Sequence, residues 1–178
     1  MKLTNKFILT LLTVFFHTYL FSQKTIELKN SDLEGVNSEG KFWWWNNVAK
    51  NGADATFSVE DFDTNPGSSR ALKIQTHKLG DKGWFLSTQF NQKFKGQEGD
   101  KITVTFYAKN RSGNGKIKLV LQSDIKGSFQ GKDFILSEDW TSYTHTFNLK
   151  SNSNNQGIKF WYMTEHTEFL LDDLSISK

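Results

Sequence analysis

The chain has 178 residues, six Trp and no Cys, with 22 Lys or Arg against 19 Asp or Glu. That length suits one domain with a sizeable core, held without disulfides. The near balance of charge and the absence of any Lys/Arg block argue against nucleic acid or an anionic membrane surface as partner.

The first 22 residues read as a secretory signal peptide. Lys2 and Lys6 make a basic start, Phe7 to Phe16 an apolar run, and Ser22 a small residue before the cut. The run is short for a spanning helix, which takes about 20 residues. Export is expected, to the periplasm, the cell surface or the medium, with no membrane insertion after cleavage. Residues 23–178 then form one domain. Without Lys2 and Lys6, 20 basic residues face 19 acidic ones.

Beyond Gln23 the pattern is β throughout. Residues 24–30, 53–60, 70–77, 84–90 and 167–177 are strand candidates. Ile102, Val104, Phe106 and Ala108 alternate with Thr103, Thr105, Tyr107 and Lys109, and Ile117, Leu119 and Leu121 with Lys118, Val120 and Gln122. Tyr143 to Leu149 and Ile158 to Met163 alternate in the same way, as strands with one buried face do. Within Trp43-Trp44-Trp45, strand geometry puts Trp43 and Trp45 on one face and Trp44 on the other. Turn clusters separate these runs, among them Asn65-Pro66-Gly67-Ser68, Gly80-Asp81-Lys82-Gly83 and Arg111-Ser112-Gly113-Asn114-Gly115. The polar run 151–155 reads as a long hairpin loop. No helical periodicity of useful length occurs. The expected class is all-β, a two-sheet sandwich or a barrel of about ten short strands.

Six pieces in register carry a resemblance. They are Ser31-Asp32-Leu33-Glu34-Gly35, Gly67-Ser68-Ser69-Arg70-Ala71-Leu72-Lys73-Ile74, the strand opened by Trp84, Gly99 to Lys109, Leu136-Ser137-Glu138-Asp139-Trp140-Thr141-Ser142-Tyr143, and Phe169-Leu170-Leu171-Asp172-Asp173-Leu174-Ser175-Ile176. In order and spacing the chain resembles secreted carbohydrate-binding modules of the family 4, 9, 16 and 22 type. The resemblance implies a β-jelly roll that binds soluble polysaccharide in a groove on one concave sheet, often with a structural calcium ion.

Sugar rings offer C–H faces to aromatic rings and hydroxyl rims to polar groups. In the resemblance Trp84 matches a groove-lining aromatic, Phe129 a second stacking ring in the loop after its strand, and Gln122 and Lys159 polar groove positions. Lys159 and Trp161 share the face opposite Ile158 and Phe160 and should leave the core together. Trp161 falls where relatives often carry a small residue, which reads as an added platform or a narrowed groove. Tyr107 should face the groove because Phe106 faces the core. Trp140 matches a structural Trp. Glu34 and Asp172 match the first and last calcium carboxylates, with the Arg70 carbonyl between them. A further carboxylate position falls near Gly67, for which Asp63 or Glu60 would substitute.

The expected function is non-catalytic binding of a polysaccharide or oligosaccharide by a monomer. A jelly-roll glycoside hydrolase or polysaccharide lyase is the first alternative, and a structural or adhesive envelope protein the second. No paired-carboxylate strand spacing of a glucanase occurs. Glu165-His166-Thr167-Glu168 reads as a solvated hairpin loop, and His77 and His145 as strand surface.

Overall fold

The computed structural model describes residues 24–124 and 129–178. The leader read over residues 1–22 lies outside them. Twelve strands run in chain order: β1 (Thr25–Ile26), β2 (Trp45–Ala49), β3 (Asp54–Glu60), β4 (Ala71–Lys78), β5 (Leu86–Phe90), β6 (Phe94–Gly96), β7 (Lys101–Ser112), β8 (Lys116–Gln122), β9 (Phe129–Ile135), β10 (Thr141–Asn148), β11 (Ser153–Tyr162) and β12 (Thr167–Ser177). One 3-10 turn, Gly83–Phe85, precedes β5. The first sheet has the order β10-β7-β12-β4-β3, with β1 beside the far end of β12. The second has the order β2-β5-β11-β8-β9, with β6 also beside β11. Every pairing is antiparallel. The result is a two-sheet jelly roll.

Alternation explains the layers. On β7, Ile102, Val104, Phe106 and Ala108 are buried while the residues between them look outward. The ring of Phe106 meets Phe160 of the opposite sheet at 5.0 Å and Phe134 at 5.5 Å, and stacks on Tyr143 at 5.4 Å. Tyr162 crosses to Phe169 at 5.6 Å. Each such ring contributes about 1.5–3 kcal/mol by leaving water. The Tyr162 hydroxyl donates to Thr88 Oγ1 at 2.6 Å, and Thr88 in turn to Asn47 Oδ1, so the buried hydroxyls are satisfied.

Several sequence expectations change. The candidate strand 24–30 shrinks to Thr25–Ile26, because Asn30 turns the chain at φ 50°. Its side chain is tied to Gly35 and to the Trp43 carbonyl. The polar run 151–155 is half strand: β11 begins at Ser153, where Asp124 accepts a hydrogen bond from the Ser153 hydroxyl. Trp43 and Trp45 do not share a strand face. Trp44 sits at φ 67°, so β2 begins only at Trp45. Trp45 is a core residue packed on Phe90 at 5.1 Å, while Trp43 and Trp44 are exposed. Trp44 stands under the Lys29 ammonium, 4.8 Å from its ring.

Candidate functional site

The second sheet places a set of side chains on its outer face. On β11, Ile158, Phe160 and Tyr162 go to the core, so Gly157, Lys159 and Trp161 face outward. Register then fixes their neighbours. Lys159 stands opposite Gln89 of β5 and Val120 of β8, and Gly157 opposite Gln122. Gln122 stands opposite Phe129, which opens β9.

These residues line a cavity of about 330 Å³, bounded by Lys50, Trp84, Gln89, Gln122, Phe129, Lys159 and Trp161. Trp161 is its floor. Its ring lies 6.0 Å from Trp84 on one side and 5.5 Å from Phe129 on the other. The two flanking rings are 45% and 52% exposed, whereas Trp161 is only 9% exposed. Among the described residues Trp161 Nε1 is buried without a hydrogen-bond partner. The Lys82 ammonium lies 5.1 Å from the Trp84 ring. The Lys159 ammonium is held below the usual lysine range, first by burial and then by the charges of Lys93 and Lys50. Two larger clefts near the chain ends, both lined by Lys95 and Lys178, bring no pair of aromatic rings together.

Five of the six expected groove residues therefore meet: Trp84, Gln122, Phe129, Lys159 and Trp161. Tyr107 does not. It leaves the core as expected, but from β7 of the first sheet, on the opposite side of the sandwich. Alternation fixes which side chains leave the core, not which sheet carries them. Two placements also differ in kind. Trp84 lies in the 3-10 turn before β5 rather than on the strand, and Phe129 begins a strand rather than lying in a loop. Gln89 and Lys50 were not singled out in the sequence. Gln89 was readable as the outward neighbour of core Phe90, but Lys50 follows a short strand hidden behind the Trp run.

The carboxylates matched to calcium, Glu34 before β2 and Asp172 on β12, are not among the residues that line this cavity. Glu34 Oε1 accepts hydrogen bonds from the Ser69 and Arg70 amides at 2.7 and 3.2 Å, and Arg70 Nη1 donates to the Glu34 carbonyl at 2.7 Å. Asp172 is fully buried. Its Oδ1 accepts from the Asp173 amide at 2.8 Å, and among the described residues its Oδ2 has no hydrogen-bond partner. Burial, then the neighbouring Asp173 charge, pushes the Asp172 carboxyl up to about 7, and the Glu34 charge adds to this. An orphaned buried carboxylate oxygen amid like charges suits a hard divalent cation. Among the described residues no group of three or more His, Cys, Asp or Glu side chains gathers to hold a metal. Glu60 and Asp63, the expected substitutes, are engaged elsewhere, in ion pairs with Arg111 and Lys109.

That ion-pair cluster covers the outer face of the first sheet. Arg111 Nη1 reaches Glu60 at 2.7 Å and Glu168 at 3.0 Å, and Arg111 Nε reaches Asp63 at 2.9 Å. Trp140 Nε1 donates to Asp63 at 3.0 Å, which ties this Trp into the ion-pair cluster. Glu165 caps the link after β4, its Oε1 accepting from the Leu79 amide at 2.6 Å. His145 packs edge-on against Phe147 at 4.6 Å.

No family model matches the chain, and no curated protein matches it either. Solved structures do. A family 4 carbohydrate-binding module superposes with a TM-score of 0.66 at 17% identity, over 85% of this chain and 99% of the other. The xylan-binding family 22 domain from Paenibacillus barcinonensis gives 0.57 at 11%, over 83% and 90%. The family 11 module from Clostridium thermocellum, in complex with a mixed-linked β-1,3-1,4 tetrasaccharide, gives 0.56 at 15%, over 86% and 94%. The chain thus has the β-jelly-roll fold of the carbohydrate-binding modules.

Proposed function

We propose that the protein binds polysaccharide, without cleaving it, in the cavity on the outer face of the second sheet. The observation that carries this reading is the convergence of Trp84, Trp161 and Phe129 with Gln89, Gln122 and Lys159 around one opening. The rings offer faces for pyranose C–H groups, and the amides and the ammonium offer hydrogen bonds to the rim. No Asp or Glu stands in the described lining. Hydrolysis by two carboxylates needs a pair about 5–10 Å apart, so binding without cleavage is favoured. A wet, open site exchanges water hydrogen bonds for similar ones, and affinity falls in the micromolar to millimolar range.

Asp172 and Glu34, with the Arg70 carbonyl, would hold a calcium ion that ties the C-terminal strand to the loop before β2. The ion would supply positive charge to the buried Asp172 carboxylate and the half-buried Glu34 and take no part in sugar contact. The leader over residues 1–22 directs this binding outside the cytoplasm.

Affinity electrophoresis against a panel of soluble glycans tests the reading, with Trp84→Ala and Phe129→Ala alongside. Retardation by a glycan, lost in variants of unchanged melting temperature, is expected. Retardation of wild type and variants alike would move the site elsewhere, and release of reducing ends or unsaturated products would overturn the non-catalytic reading.

A further inference from the structure

Three ammonium groups meet on the outer face of the second sheet. Lys159 projects from the middle of β11 and Lys50 enters from the end of β2, both lining the aromatic cavity. Lys93, in the link between β5 and β6, lies over Gly157, where any Cβ would run into its side chain. Gly157 precedes Lys159 by two residues on the same face, about 6.6 Å along the strand. Gly157 is also the partner of Gln122. Lys93 therefore extends the positively charged wall beyond the cavity's own lining.

Among the described residues, none of these three lysines is ion-paired with a carboxylate. The acids near this face are engaged by other groups: Asp133 of β9 is held by Lys116 at 3.0 Å and Lys118 at 3.3 Å, and Asp124, just after β8, accepts hydrogen bonds from the Ser153 hydroxyl and the Asn155 side-chain amide. The Lys50 ammonium stands 5.9 Å from the Phe85 ring. The first sheet is built differently. There Lys73, Lys109 and Arg111 are matched by Glu60, Asp63 and Glu168. With overall charge close to balance, the unmatched positive charge is a local feature of the cavity.

The polar chemistry of the lining is one-sided as well. Lysine ammonium groups only donate, and the acceptors provided by side chains are the carbonyl oxygens of Gln89 and Gln122. Neutral sugar hydroxyls both donate and accept, and they leave such a donor-rich wall poorly matched. A ring substituent that accepts and carries negative charge matches it well. Lysine is a compact point charge and takes carboxylate or sulfate equally.

We propose that the site selects acidic polysaccharides, in which pyranose rings lie against Trp84 and Phe129 while ring carboxylates or sulfate esters meet Lys50, Lys93 and Lys159. This rests on the reading of the cavity as a glycan site and names its ligand class. Burial and then the charges of Lys93 and Lys50 work against the Lys159 ammonium, and an anion seated among the three lysines relieves their mutual repulsion.

Isothermal titration calorimetry at 50 and 500 mM NaCl tests it. The ligands are polygalacturonate, alginate, a carrageenan, the carboxyl-reduced or desulfated neutral form of each, and a mixed-linked β-glucan. The expected result is that at least one charged polymer binds ten-fold or more tighter than its neutral form. That binding drops ten-fold or more at high salt and in Lys93→Ala/Lys159→Ala, whose melting temperature is unchanged. Lys159→Arg retains it. Binding confined to polyuronates assigns carboxylate as the recognised group, and binding confined to the sulfated polymer assigns sulfate. Equal binding of charged and neutral forms, preference for the neutral glucan, or an unaffected double variant overturns the inference and leaves glycan binding standing. Binding to none of the polymers overturns both.

Discussion

The ring of Trp161 lies 6.0 Å from that of Trp84, tilted at 55°, although 77 residues of chain separate them. The contact divides their labour. Trp161 is closed over and forms a floor, while Trp84 keeps nearly half its surface open. Trp84→Ala should weaken glycan binding about ten-fold, or about 1.4 kcal/mol, with little change in melting temperature. Trp161→Ala should cost about 3–5 kcal/mol of folding stability as well, because it empties a packed site. Chemical denaturation beside glycan titration separates the two, and a Trp161→Ala variant of full stability would contradict the floor assignment.

Gln89 and Tyr107 make a matched pair of tests, since both leave the core from their strands but from different sheets. Gln89→Ala should lower glycan affinity several-fold through a lost hydrogen bond of about 1 kcal/mol. Tyr107→Ala should leave affinity unchanged. The same titration reads both, and a loss in Tyr107→Ala would place the binding face on the first sheet.

This contrast also marks what the sequence could convey. Period-2 runs such as Ile102 to Lys109 and Ile158 to Tyr162 told inside from outside, because burial of one face is what produces the pattern. They carried no information on strand order, which pairing between distant segments decides. Hence Lys159 and Gln122, matched to groove positions through the resemblance, line one cavity, while Tyr107, whose outward face the pattern gave without its sheet, stands on the other side of the sandwich. Lys50 and Lys93 were invisible for another reason. Each lies just outside a short strand, and exposed lysines are ordinary in sequence. Only their shared direction and their lack of carboxylate partners set them apart.

Asp172 predicts an inverted pH dependence. Its carboxyl stands at about 7 in the folded protein against 3.8 in a free chain. Below 3.8 it is protonated in both states and costs nothing. Between 3.8 and 7 only the unfolded state ionises, so stability falls as pH rises. Above 7 the penalty is complete, at most about 4 kcal/mol. His145 works the other way, since burial lowers it and stability then falls toward acid. The difference between wild type and Asp172→Asn isolates the carboxyl. In EDTA, the variant should gain melting temperature over wild type from pH 5 to pH 8. Millimolar calcium should raise wild type alone at pH 8. A variant that still responds to calcium would remove Asp172 from the metal site.

Arg111 holds the opposite face of the sandwich together and should matter for stability, not for binding. Burial works against the charge on Glu60, yet the Phe62 amide and the Arg111 guanidinium keep that carboxyl below its ordinary value. Asp63 is lowered likewise against burial, chiefly by Lys109 and then Arg111. Glu60 is 6% exposed, so removal of its guanidinium leaves a buried charge to the Phe62 and Asp63 amides and to Lys73, 3.8 Å away. Arg111→Ala should therefore cost about 2–3 kcal/mol at pH 7, slightly below a fully buried pair because Arg111 is partly solvated. Both carboxyls are depressed, so their contribution is fully present above the free-chain range near 4 and is lost as pH falls below it, through their lowered folded-state values. The cost of Arg111→Ala should accordingly shrink between pH 5 and pH 3, as denaturant titrations at several pH values would read. A cost that is flat with pH would mean that Arg111 acts through packing of its aliphatic stem rather than through its charge.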